Sequence, residues 1–106
     1  MDTITTEQLE QLKESENPFK LVDVLSTENF QEEHIEGAVN LPLSDIASEA
    51  MNRFGIEEKI VVYSKNTECS ASPKAAAKLK SIGFQNVKDY EEGLEAWKNA
   101  GNPTES

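Results

Sequence analysis

One thiol is available to this chain. Cys69 stands in the polar stretch Ser64-Lys65-Asn66-Thr67-Glu68-Cys69-Ser70-Ala71-Ser72 and is the only cysteine among 106 residues. The thiolate is the nucleophilic form of cysteine, so the surroundings decide what such a residue can do. Before the stretch comes Lys59-Ile60-Val61-Val62-Tyr63, a β-branched and aromatic run that reads as a buried strand. After it comes Pro73-Lys74-Ala75-Ala76-Ala77-Lys78-Leu79, rich in helix formers. Ser72 is a good N-cap and Pro73 a good first helical residue, while a residue before proline is pushed out of the helical region. The pattern therefore predicts a helix starting at Pro73. A strand, a polar loop and a helix N-terminus in this order aim backbone N–H groups at one point, which attracts anions and stabilises a thiolate.

Within the loop the positions are not equivalent. Ser64 directly follows the strand and is placed at the base, where successive N–H groups converge. Cys69 is expected nearer the exit, with fewer donors. The helix end lowers its pKa and the like charge of Glu68 works against the thiolate. Lys65, Asn66, Thr67, Glu68 and Ser70 form the candidate anion- or substrate-binding set, with Lys65 and Lys74 as point charges in place of an arginine. The bland alternative for Cys69 is a small, unreactive loop residue.

The totals restrict the rest. The length suits one domain, residues 1–106, with one core. A single cysteine and a single histidine, His34, leave no Cys-rich zinc site and no internal disulfide. No metal and no cofactor are expected. The net charge of −10 argues against nucleic acid or an anionic membrane surface as partner. That charge is uneven, with fourteen acids and three bases through Glu58, then six acids and seven bases. Lys65, Lys74 and Lys78 could therefore make a locally positive mouth around the loop. No apolar run spans a bilayer, and Met1-Asp2-Thr3 does not open a signal peptide, so a cytoplasmic, monomeric protein is expected.

The elements that must position the loop follow in order. Ile4 is a candidate for a short first strand. Thr5 and Gln8 have capping-box spacing, so a helix starts near Thr6 with Leu9 and Leu12 inward. Lys20 to Val24 is a second strand, apolar enough to be covered on both faces. Ser26 or Thr27 caps a short helix over 28–33. His34 to Ala38 is a turn into a third strand, Val39 to Leu41. Ser44 caps a helix in which Ala47, Ala50, Met51 and Phe54 share a face. After the loop and its helix, Val87 to Tyr90 is the last strand, and a final helix from Gly93 turns Leu94 and Trp97 to the core. Alternating strands and helices imply an α/β domain, a mainly parallel five-stranded sheet with helices on both faces. Ligands of such sheets bind beyond the carboxyl ends of the strands, where the Ser64–Ser72 loop lies.

An ordered set of short motifs carries a resemblance. It comprises Leu21-Val22-Asp23-Val24, then Phe30 with His34-Ile35, Gly37-Ala38-Val39-Asn40-Leu41-Pro42, and Ile60-Val61-Val62-Tyr63. It continues with Ala75-Ala76, Leu79, Gly83-Phe84, Asn86-Val87, Gly93, Trp97, Gly101 and Pro103. Spacing and order resemble a single-domain rhodanese over nearly the whole chain. The resemblance implies a small α/β domain that moves sulfane sulfur through a cysteine persulfide. The donor it implies is thiosulfate, a small sulfur-containing anion, or a persulfide-bearing protein. It also implies a nucleophile directly after the strand, in a Cys-x-x-Gly-x-Arg-Ser type loop. That position is Ser64, the glycine position is Thr67 and the arginine position is Cys69. The loop is more similar to a Cys-x-x-x-x-Cys variant whose first cysteine is replaced by Ser64. Leu25 stands where an arginine usually ends the Asp-Val motif. The resemblance makes His34 part of a structural turn. Phosphatases of the Cys-x5-Arg type are excluded, because the arginine position from Cys69 is Ala75 and the one arginine is Arg53.

Two functions fit these residues. One is a sulfur carrier or sulfurtransferase in which Cys69 accepts sulfur, possible as an enzyme of the thiosulfate sulfurtransferase type. The other is a catalytically silent module that binds a protein partner or a small anion.

Overall fold

The computed structural model describes residues 2–106, so the Met1 part of the reading at the N-terminus lies outside them. The order of elements is α1 (Thr6–Glu14), β1 (Lys20–Asp23), α2 (Thr27–Glu32), β2 (His34–Ile35), β3 (Val39–Asn40) and α3 (Ile46–Arg53). Then come β4 (Lys59–Tyr63), α4 (Ala71–Ser81), β5 (Asn86–Tyr90), α5 (Gly93–Asn99) and β6 (Thr104–Glu105). The main sheet has four parallel strands in the order β3-β1-β4-β5. The fifth strand expected near Ile4 is a single parallel bridge from Thr3 to Asp89. β2, expected to be a turn, pairs antiparallel with β6.

Strand alternation sorts the core into two clusters. Val22, Ile60, Val62 and Val87 face one side, where α3 and α4 bring Ile46, Ala50, Ala75, Ala76 and Leu79. Leu21, Val61, Tyr63 and Tyr90 face the other, under Leu9 of α1 and Trp97 of α5. Both faces of β4 are therefore covered, which is why its sequence is an unbroken apolar run. The Trp97 indole packs edge-on to Tyr90 and its Nε1–H donates to Pro103 O at 2.8 Å.

Caps decide where the helices begin. At α1 the reciprocal bonds of Thr5 and Gln8 form as their spacing predicts, at 2.9 and 3.1 Å. α3 differs from expectation. A 3-10 turn over Leu43–Asp45 precedes it, Ser44 lies inside that turn, and the buried residues are Ile46 and Ala50, while Ala47 and Met51 are exposed. α4 begins at Ala71, two residues before Pro73, and Ser72 is helical. Proline needs only a position whose N–H has no intrahelical partner, and the whole first turn offers that. The helical bond from Lys74 N to Ser70 O, 3.2 Å, closes that turn.

Candidate functional site

The carboxyl end of β4 delivers the loop. Alternation along Ile60 and Val62 continues to Ser64, so its side chain points to the α4 side and is fully buried. The Ser64 and Lys65 carbonyls point the other way. They accept from Leu94 N and Glu95 N, at 3.0 and 2.9 Å, in the first turn of α5. This contact is possible because Gly93 has φ +74° and no side chain. A Cβ there would lie 2.7 Å from the Lys65 carbonyl carbon and oxygen and from Ser64 O. With its carbonyls tied to α5, the loop base turns its N–H groups the opposite way, toward α4.

Asn66 then reverses the chain. Its Oδ1 accepts from Glu68 N at 3.0 Å, its carbonyl accepts from Cys69 N at 3.1 Å, and its Nδ2 donates to Glu95 at 3.0 Å. The reversal carries Cys69 back over the loop base. Partial burial, the largest single effect, pushes the Cys69 thiol up, but several smaller opposing effects together leave it below its ordinary value. These are the nearby Ser64 hydroxyl, the backbone N–H groups of Ala71 and Lys65, and the Lys65 ammonium. Ala71 N–H is free for this because it opens α4. Distance along the loop therefore does not become distance from the donors. The Asn66 turn is what shortens the separation expected from sequence.

The remaining loop residues divide by role. The Lys65 N–H and the Lys65 charge both lower the Cys69 pKa. Asn66 is the hinge of the turn. Thr67, Glu68 and Ser70 are exposed, and Ser70 O belongs to the helical ladder. Lys74 and Lys78 are exposed on α4. Ala71 N–H and Gly93 take part without having been singled out for this role by residue type. Backbone donors have no sequence signature, whereas Gly93 was visible as part of the ordered motif set.

Two buried carboxylates flank the loop. Asp23 Oδ1 accepts from Leu25 N at 2.9 Å, and burial raises its pKa against the pull of that bond, Tyr63 and His34. Asp89 lies beside Val62 in the sheet, below Ser72 of α4. Burial raises its pKa too, opposed by the Ser72 hydroxyl and reinforced by Glu91. His34 stacks on Phe30 with ring centroids 3.7 Å apart, and its Nδ1 lies 2.7 Å from Phe30 O, so Nδ1 carries the proton. That is a structural role at the β2–β6 pair. Arg53 donates to Asn40 O at 2.9 Å. Among the described residues no cluster of His, Cys, Asp and Glu could hold a metal, and no helix is long and apolar enough to cross a membrane.

Comparison with known proteins places these features in a family. The model of the rhodanese-like domain matches residues 5–100. The rhodanese-like domain of an Anabaena protein, solved in solution by NMR, superposes with a TM-score of 0.90 at 30% identity, covering 100% of this chain and 80% of that one. Thiosulfate sulfurtransferase 16, chloroplastic, of Arabidopsis thaliana is 30% identical over 98 residues, covering 82% of this chain and 80% of that protein. An HTH-type transcriptional regulator of Mycobacterium tuberculosis is 32% identical over 104 residues, 98% of this chain but 45% of that protein. The chain spans about half the length of several curated relatives it matches. With its parallel sheet, its β4–loop–α4 unit and the match over residues 5–100, this chain belongs to the rhodanese-like domain family.

Proposed function

We propose that the chain is a sulfur carrier or sulfurtransferase in which Cys69 accepts sulfane sulfur and passes it on. The observation that carries this reading is the set of donors around the thiol: Ser64 hydroxyl, Lys65 and Ala71 N–H, and the Lys65 ammonium. Donors of this kind favour a sulfur anion, whether thiolate or persulfide. A relative named as a thiosulfate sulfurtransferase supports the same chemistry. The donor is a small sulfur-containing anion or a persulfide-bearing protein. Incubation with thiosulfate, and separately with glutathione persulfide, should add about 32 Da, one sulfur atom, to the Cys69 peptide in a mass spectrum. Cys69→Ser should not gain it. Absence of the adduct from the native chain with both donors would sink the reading.

A second reading is a silent module that binds a protein partner or a small anion. The sole arginine is engaged at Asn40, and the position directly after β4 holds Ser64 rather than a thiol. Failure of sulfur uptake would favour it.

A further inference from the structure

We infer that Ser64 is a catalytic residue: once the Cys69 sulfur is an anion, the Ser64 hydroxyl donates to it and stabilises the thiolate that departs when sulfur is passed on. This rests on the sulfur-transfer reading above. Ser64 is fully buried, yet its Oγ has no hydrogen-bond partner. A buried hydroxyl without a partner is costly, so its position calls for an explanation. The group beside it is the Cys69 thiol, a weak acceptor that becomes a strong one on losing its proton. The hydroxyl is thus underused in the resting thiol and fully used in the anion. The α5 contact fixes Ser64 through its own carbonyl, bonded to Leu94 N at 3.0 Å, so the donor is held in place before the charge forms.

The discharge step shows where such a donor acts. Cys69 carries Sγ–SH. An acceptor nucleophile, a thiolate or cyanide, forms a bond to the outer sulfur. The Sγ–S bond breaks, and its electron pair stays on Sγ as thiolate. The outer sulfur leaves with its proton, attached to the acceptor. No oxidant or reductant is consumed. In thiol exchange a lower leaving-group pKa speeds departure, while attack loses only part of that factor because nucleophilicity falls with a Brønsted slope near 0.4–0.5. At a pH where the native thiol is largely ionised, the Ser64 donor therefore speeds discharge while making the thiolate a slightly slower nucleophile in loading. Ser64 makes the persulfide easier to give away.

The test uses Ser64→Ala in the full chain, with Ser64→Gly as a second hydroxyl-free variant should the first fold poorly, and Ser64→Thr to retain the hydroxyl. The rate of Cys69 alkylation by iodoacetamide against pH reads the thiol without any sulfur transfer. Loading is timed with glutathione persulfide and discharge to cyanide by thiocyanate release. The alkylation midpoint should rise by about one pH unit in the hydroxyl-free variants, the scale of one hydrogen bond to a charged group. It should stay near the native value in Ser64→Thr. Discharge should slow by up to about tenfold, while loading at a pH where the thiol is ionised stays near the native rate or rises slightly. An unchanged midpoint overturns the contact, and equal slowing of the two steps overturns the leaving-group role. A native chain that takes up no sulfur overturns the transfer reading and this role with it. The alkylation midpoint still shows separately whether the hydroxyl meets the sulfur.

Discussion

Replacing Gly93 tests how the loop is held. At φ +74° an L side chain costs about 1–2 kcal/mol from left-handed backbone alone. The new Cβ would also lie 2.7 Å from three backbone atoms of Ser64 and Lys65, which cannot swing aside as a side chain could. The start of α5 must retreat, stretching the bonds from Leu94 N and Glu95 N to the Ser64 and Lys65 carbonyls. Two such bonds are worth about 0.5–1.5 kcal/mol each, so Gly93→Ala should destabilise by about 2–5 kcal/mol. Gly101→Ala is the control, because φ there is +84° but no heavy atom lies within 4 Å of the added carbon. It should cost only the backbone share, about 1–2 kcal/mol. Urea unfolding followed by Trp97 fluorescence and far-UV circular dichroism measures both. The alkylation midpoint of Cys69 gives a second readout, which should rise in Gly93→Ala and stay put in Gly101→Ala. Equal stability losses with an unmoved midpoint would refute the claim that α5 orients the loop amides toward the sulfur.

Other outcomes follow from the same geometry. Trp97→Ala should cost about 3–5 kcal/mol, since the ring is buried against Tyr90 and its N–H is bonded to Pro103. For a chain of this length that lowers Tm by about 18 °C at the middle of the range, and a drop of a few degrees would show that α5 does not dock this way. Asp89 has a raised folded pKa, so the folded state holds its proton longer than the unfolded state. Its burial carries no charge penalty at low pH and destabilises increasingly as pH rises above the ordinary aspartate range near pH 4. Asp89→Asn should therefore flatten the fall in stability as pH rises above about 4, while a share from Asp23 remains. A variant with the native slope in urea melts would remove Asp89 as its source. Native thiosulfate:cyanide sulfurtransferase activity should be weak, and Ser64→Cys should raise it under reducing conditions. Without reductant the introduced thiol, beside Cys69, should close a disulfide. Two titratable thiols after air oxidation would contradict their adjacency.

Much of this architecture is written locally. The Thr5–Gln8 capping box, the β-branched run of β4 and the ordered motifs are short-range patterns, and they gave the helix start, the parallel strands and the family. The misses have physical causes. In α3 the buried line runs through Ile46, Ala50 and Phe54, four residues apart, so Ala50 and Phe54 face the core as their spacing suggests while Ala47 and Met51 fall outside it. Pro73 signals a first turn rather than a first residue, which displaced the start of α4 by two. The pairing of His34-Ile35 with Thr104-Glu105 joins distant segments through two residues each, too few for any periodic pattern. The turn at Asn66 was legible in principle, since an asparagine two residues before an unpaired N–H is a common Asx-turn arrangement. Which side of the loop base that turn would reach depends on α5, and no local signal carries that.

The same dependence bears on what Ser64 means for activity. The position directly after β4 matters because it lies where amides converge, and that convergence is made by two helices on opposite faces of the sheet. α5 takes up the Ser64 and Lys65 carbonyls, and α4 presents the N–H of Ala71. Neither contribution requires sulfur at position 64. A thiol brought back toward those donors from position 69 is stabilised by them as an anion, and the turn bonds of Asn66 are what bring it back. The residue left at the base then changes role without changing place, from a candidate nucleophile to a donor for one. Loss of cysteine at the base is therefore not, on physical grounds, loss of a sulfur site. What would separate the two is the sulfur itself: an adduct on Cys69 that depends on the Asn66 turn argues for a relocated site, and its absence argues for a module that kept the fold for binding.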